Sequence, residues 1–124
     1  MKDKSFKIIE NSLEDIKALD TKVLNLQKLN TFTDTLLITS GSSSTHMSAI
    51  SDRVIDDLKK NKIPIQSVQG KNSSDWILLD LGNIVINIMS VSARQYYDLE
   101  SLWDDSLAWW KDLTLRIAAS LEGY

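Results

Sequence analysis

Thr35-Leu36-Leu37-Ile38-Thr39-Ser40-Gly41-Ser42-Ser43-Ser44-Thr45 is the stretch whose reading decides the fold class. Its first five residues are apolar or β-branched without alternation, the pattern of a strand buried on both faces. Gly41 to Thr45 ends that strand with residues that cap helices well. Met47, Ile50, Val54 and Leu58 then recur at three- and four-residue steps, so a helix follows and stops near Asn61-Lys62, ahead of Pro64. Ile65 to Val68 reads as the next strand. Residues 35–68 therefore form a strand–helix–strand unit, a crossover that normally sets its two strands parallel and turns right-handed.

Working outward, Phe6, Ile9, Leu13, Ile16 and Leu19 mark one stripe of an amphipathic helix from Ser5 to Leu19. Lys22 to Gln27 alternates and reads as a short strand. On the other side, Gly70-Lys71-Asn72-Ser73-Ser74 is a polar loop. Two strands follow, Trp76 to Leu81 and Ile84 to Met89, joined by Gly82-Asn83, which suits a tight primed hairpin turn. Ala93 to Tyr97, Leu99 to Trp103 and Leu107 to Leu121 read as short helix, turn and longer helix. No linker or repeat interrupts the pattern. The expectation is a single-domain α/β fold, a mixed β-sheet flanked by helices over residues 1–105, with a C-terminal helical extension over 106–124.

The chain has 124 residues, enough for one hydrophobic core and too few for two ordinary domains. Its 43% hydrophobic and 25% charged content is that of an average soluble protein, which argues against disorder or a fibrous repeat. No apolar run approaches the roughly 20 residues that span a bilayer, so no membrane partner is expected. Met1-Lys2-Asp3-Lys4-Ser5 has neither the apolar stretch of a secretory signal nor the arginines of a transit peptide. With no cysteine there is no disulfide framework, no thiolate nucleophile and no cysteine-based zinc site, and a cytoplasmic location is the expectation. A net charge of −3 argues against nucleic-acid binding through a general basic surface and suits a basic protein partner.

The most enzyme-like feature is Gly41-Ser42 between a strand and a helix, because helix N-termini favour phosphate. Nucleotidyl transfer also needs two carboxylates at alternate positions of a strand to hold divalent metal. Asp75 and Asp80 are five residues apart and so face opposite sides. The acid-x-acid pattern Asp98-Leu99-Glu100 lies in a helical reading, and Asp56-Asp57 are adjacent on a helix. The pair is missing, so Gly41-Ser42-Ser43-Ser44 reads as a turn plus a helix cap. His46 is the single histidine; zinc wants three or four ligands, and the nearby serines lack the strained Gly-x-Ser-x-Gly elbow. A surface or helix-capping role fits it better. Trp109, Trp110, Leu113, Ile117 and Leu121 read first as a helix folded back on the core, and second as a partner-binding helix.

Trp76 and the run Tyr96-Tyr97-Asp98-Leu99-Glu100-Ser101-Leu102-Trp103-Asp104-Asp105 set aromatics among carboxylates with no basic residue. Core aromatics need no acidic neighbours, whereas aromatic anchors ringed by charge make protein interfaces. On residues alone the interface reading and a core-capping reading of Tyr97, Leu99 and Trp103 stand side by side.

From about Ser5 to Trp103 the chain resembles the ribosomal silencing factor (Iojap-like) family. The resemblance rests on Thr33-Asp34 followed by Thr35-Leu36-Leu37-Ile38-Thr39-Ser40-Gly41-Ser42-Ser43-Ser44, and on His46-Met47-Ser48-Ala49-Ile50-Ser51-Asp52. It continues with Asp75-Trp76-Ile77-Leu78-Leu79-Asp80-Leu81-Gly82, then Ala93-Arg94 and Tyr97-Asp98-Leu99-Glu100-Ser101-Leu102-Trp103. Many relatives have a histidine where this chain has Asn87, and their hairpin turn is often Gly-Asp where Gly82-Asn83 stands here.

The resemblance implies a nucleotidyltransferase-like fold without the catalytic carboxylates, no enzymatic activity and no cofactor. It implies binding to the large ribosomal subunit through the ribosomal protein numbered fourteen, which blocks small-subunit joining sterically and represses translation, and a homodimer when free. Trp76, Leu78, Asp80, Tyr97, Glu100 and Trp103 are the residues it points to for the partner contact, with Glu100 facing basic side chains. Two other classes remain as alternatives: a nucleotidyltransferase-like enzyme, and a dimeric adaptor with another partner.

Overall fold

The apolar stripes at helical spacing become α1 (Lys4–Asp15) and α2 (Ser44–Lys60), which bury Phe6, Ile9 and Leu13, and Met47, Ile50, Val54 and Leu58. The structure, a computed structural model, describes residues 4–25, 35–71 and 75–97, Tyr97 in its backbone only. The strands are β1 (Leu19–Asn25), β2 (Thr35–Gly41), β3 (Ser67–Gln69), β4 (Trp76–Asp80) and β5 (Ile84–Ser90), and α3 (Val91–Tyr97) follows.

They form one mixed sheet in the order β1-β2-β5-β4-β3. β2 and β5 pair in parallel at the centre, and the other neighbours are antiparallel. The crossover through α2 does leave β2 and β3 parallel, but at a distance: β5 and β4 lie between them. The central strands are buried along nearly their whole length, only Thr35 and Ser90 at the strand ends being half-buried, as their largely apolar runs require. Leu37, Ile77, Leu79, Ile84, Ile86 and Ile88 point to one face and meet α1 and α2 in a single core. No helix among the described residues is long and apolar enough to cross a membrane.

Both long helices stop without glycine. After α1, Ala18 N–H reaches the Leu13 carbonyl at 2.9 Å and Lys17 N–H the Glu14 carbonyl at 3.1 Å. After α2, Ile63 N–H reaches Leu58 at 3.0 Å and Lys62 N–H reaches Lys59 at 3.0 Å. These are Schellman terminations, with Lys17 (φ 59°) and Lys62 (φ 58°) in the left-handed position that glycine usually fills. An L side chain there costs energy that glycine avoids, partly offset by glycine's greater freedom when unfolded. Lys62→Gly is therefore expected to stabilise the protein by about 0.5 kcal/mol, read as a raised urea midpoint.

A polar clamp joins the two helices. Ser12 Oγ–H lies 2.6 Å from Asp57 Oδ2, and Arg53 Nε donates to the same oxygen at 2.9 Å while its Nη2 reaches Asp15 at 2.9 Å. The Ser12 hydrogen bond, and after it the Arg53 guanidinium, holds the Asp57 carboxyl below its usual range, against the opposing effect of burial. A lowered folded pKa means stabilisation that is present above the ordinary carboxylate range and is lost as pH falls through the folded value. Asp57→Asn is expected to cost about 1–2 kcal/mol at neutral pH. The gap to the parent protein should close below about pH 4, measured by urea unfolding across pH.

Candidate ribosome-contact face

Strand side chains alternate, so the face turned away from α1 and α2 carries Leu36, Ile38 and Ser40 from β2, Val85, Asn87 and Met89 from β5, and Trp76, Leu78 and Asp80 from β4. The cross-strand rows are Ser40–Met89–Trp76, Ile38–Asn87–Leu78 and Leu36–Val85–Asp80. This is where three of the residues carried over from the family come together. Trp76, Leu78 and Asp80 share one side of one strand because they are two apart.

Their surroundings differ from those of a typical exposed contact. Trp76 and Leu78 are 0% exposed, and Asp80 is 5% exposed. The Trp76 indole N–H donates to Asn87 Oδ1 at 2.8 Å, and Asn87 Nδ2 points to the Leu37 carbonyl at 3.5 Å. The asparagine supplies the acceptor that a buried indole needs. Asp80 Oδ1 accepts from Gly82 N–H at 2.8 Å, an Asx turn that holds the start of the hairpin. Gly82 alone of the two turn residues takes a positive φ, 93°, which is the pattern of a II′ turn. A Cβ at Gly82 would also lie 2.6 Å from Gln66 Nε2.

β2 and β5, being parallel, end at the same edge, and each leads into a helix there. Ser43 Oγ caps α2 by accepting from His46 N–H at 3.0 Å. The His46 ring is a tie: Nδ1 accepts from Ser42 N–H at 2.9 Å, and Nε2–H donates to the Ile16 carbonyl at 2.8 Å. Because a carbonyl can only accept, the proton sits on Nε2. His46 thus joins the α2 cap to the end of α1, the capping role expected of it. At α3, Ser90 Oγ accepts from Ala93 N–H at 3.1 Å and donates to Asp75 Oδ1 at 3.2 Å.

Arg94 fastens α3 to the sheet. Its side chain is 8% exposed, donates to Ser40 Oγ at 3.3 Å and lies 3.7 Å from Asp20 of β1. Tyr96, two residues on, is 82% exposed. It was not among the residues the family motif pointed to, and nothing in its spacing separates it from Tyr97. The side chain of Tyr97, and Glu100 and Trp103 entirely, lie outside the described residues, as do the helical readings beyond residue 97. Among the described residues no group of three or more His, Cys, Asp or Glu could hold a metal ion. Asp75 accepts from Ser90 at the α3 cap and Asp80 from Gly82 at the hairpin, a structural role for each.

The family model described as "Ribosomal silencing factor during starvation" matches residues 2–121. The chain belongs to that family. The ribosomal silencing factor of Haemophilus influenzae is 36% identical over 92 residues, which cover 74% of this chain and 90% of that protein. The factor from Bacillus subtilis is 32% identical over 100 residues, 81% of this chain and 85% of its own length. Among solved structures, a protein from Chromobacterium violaceum superposes with a TM-score of 0.76 at 32% identity, over 80% of this chain and 82% of its own. The mixed sheet with flanking helices is thus the silencing-factor fold.

Proposed function

We propose that this protein silences translation by binding the large ribosomal subunit through the ribosomal protein numbered fourteen, where it blocks joining of the small subunit. The family match over residues 2–121 carries this reading. Binding rather than catalysis is its role: the tight turn at Gly41-Ser42 is occupied by a helix cap and a histidine tie, both structural. The free protein is a homodimer.

The contact is made by Tyr97, Glu100 and Trp103. Trp76, Leu78 and Asp80 take part from β4. The net charge of −3 and the four carboxylates of residues 98–105, with no basic residue among them, favour a basic ribosomal protein over RNA. Co-sedimentation with separated subunits tests the reading. Pelleting with large subunits and not with small ones supports it; equal binding to both favours a general adaptor.

A further inference from the structure

The outer edge of β1 offers backbone hydrogen bonds beside a cleft. β2 turns the N–H and C=O of successive residues to alternate sides, and Thr35 N–H donates to the Asn83 carbonyl at 3.1 Å, so Thr35 and Leu37 face β5. Leu36 and Ile38 therefore face β1, where they stand opposite Leu24 and Lys22. Val23, between those two, turns its own N–H and C=O away from the sheet. No strand among the described residues pairs with that side of β1. A strand edge of this kind is a template for another extended chain. The register shift between Leu19 and Lys22 confines the regular edge to the residues after it.

The Val23 side chain shares the face of Leu37, its partner across the pair, which is the face that carries α1. There it is 44% exposed and lines a cleft of about 450 Å³ between β1 and α1. Leu13, Ala18 and Val23 make the apolar part of the cleft; Lys7, Glu10 and Glu14 make its charged part, two acids to one base. Glu10 and Glu14 are one turn apart on α1, about 6 Å along its axis. Same-face side chains of a strand repeat at about 6.7 Å, so a strand added to β1 can set two successive side chains against the two carboxylates. Basic side chains are the ones that complement them.

We propose that the β1 edge and this cleft together bind an extended, basic peptide segment, which adds a strand at Val23 and directs alternate lysine or arginine side chains towards Glu10 and Glu14. A second copy of the chain is the poorer fit. Pairing through the same edge, its β1 brings Thr21, Val23 and Asn25 to the cleft side, none of them basic. β2 and β5 lie between this edge and β4, so the site is separate from the ribosomal contact proposed for β4.

The test is amide NMR on the full-length protein at low salt, titrated with the peptide acetyl-Thr-Lys-Val-Lys-Val-Lys-Thr-amide. The expected result is saturable shifts at the amides of Lys22, Val23 and Leu24 and along α1 from Glu10 to Glu14, with the Val23 amide newly protected from exchange. Val23→Pro should abolish the shifts and keep the fold, because the N–H it removes points away from β2. Glu10→Gln combined with Glu14→Gln should weaken binding about fivefold, and gives the reading if the proline variant does not fold. Shifts elsewhere or none, equal shifts with glutamate in place of lysine in the peptide, or unchanged binding by a folded variant overturn the proposal. So does a Val23 amide that is protected in the protein alone and loses protection on dilution, which gives the edge to a second copy.

Discussion

Replacing Trp76 with alanine should lower the unfolding free energy by about 3–5 kcal/mol, the range for truncating a buried indole. The side chain is fully enclosed, and it is the largest so enclosed among the described residues. Two losses add. The cavity forfeits the indole's contacts, and Asn87 Oδ1 is left buried without the N–H that satisfies it at 2.8 Å. A domain of this size is stable by only about 5–15 kcal/mol, so much of the margin would go. Trp76→Phe separates the two losses: it keeps most of the volume and strands only the asparagine, for about 1–3 kcal/mol. Urea unfolding measures both. A Trp76→Ala protein within about 0.5 kcal/mol of the parent would mean that the indole does not pack as described.

The second large effect is at Gly41. A Cβ built there would lie 2.7 Å from Met47 Cγ, 2.9 Å from Met47 N and 3.1 Å from Met47 Cα. The methionine side chain can yield, but the backbone nitrogen belongs to the first turn of α2 and is itself bonded to the Ser43 carbonyl at 2.9 Å. Gly41→Ala must therefore push the start of α2 off the end of β2. The expected cost is about 1–3 kcal/mol, typical of overpacking. The glycine serves close approach and not an unusual backbone angle, so alanine should be tolerated in the isolated strand and not in the fold. The displacement would also slacken the Ser42–His46–Ile16 tie, visible as faster amide exchange at Ser42. Unchanged stability and unchanged exchange would contradict the packing.

These two sites show what kind of information the sequence held. The apolar and β-branched run Thr35 to Thr39 was legible as a strand buried on both faces because such burial demands no alternation, and Trp76 to Leu81 and Ile84 to Met89 were legible as the two strands of a hairpin about Gly82-Asn83. The first helix was legible in period but not in length. Ile16 and Leu19 continue the stripe, yet α1 ends at Asp15, because the left-handed turn at Lys17 carries no glycine to announce it. The strand expected from Lys22 to Gln27 is described from Leu19 to Asn25 for a related reason. It lies at the edge, almost every residue is exposed, and a register shift between Leu19 and Lys22 disrupts its alternation. Ile65 and Val68 drew the third strand too early; it runs from Ser67 to Gln69, where pairing with β4 begins.

For the candidate site, which residues share a face was legible and how far each is buried was not. Motif spacing brought Trp76, Leu78 and Asp80 to one face, but whether a strand face is open or covered depends on segments distant in the chain. The aromatic–asparagine bond could not be read either, since Trp76 and Asn87 are eleven residues apart and diagonal across two strands. Tyr96, the aromatic that α3 holds out to solvent, had no signal of its own beside Tyr97.

The central claim is that the protein keeps ribosomal subunits apart, and reassociation measures it most directly. Purified large and small subunits are mixed with and without the protein at joining magnesium concentrations and resolved on a density gradient. The account predicts that adding the protein to large subunits first lowers the joined-ribosome peak in proportion to occupancy, and that the protein migrates with the free large subunit. An undiminished joined peak at saturating protein would contradict it.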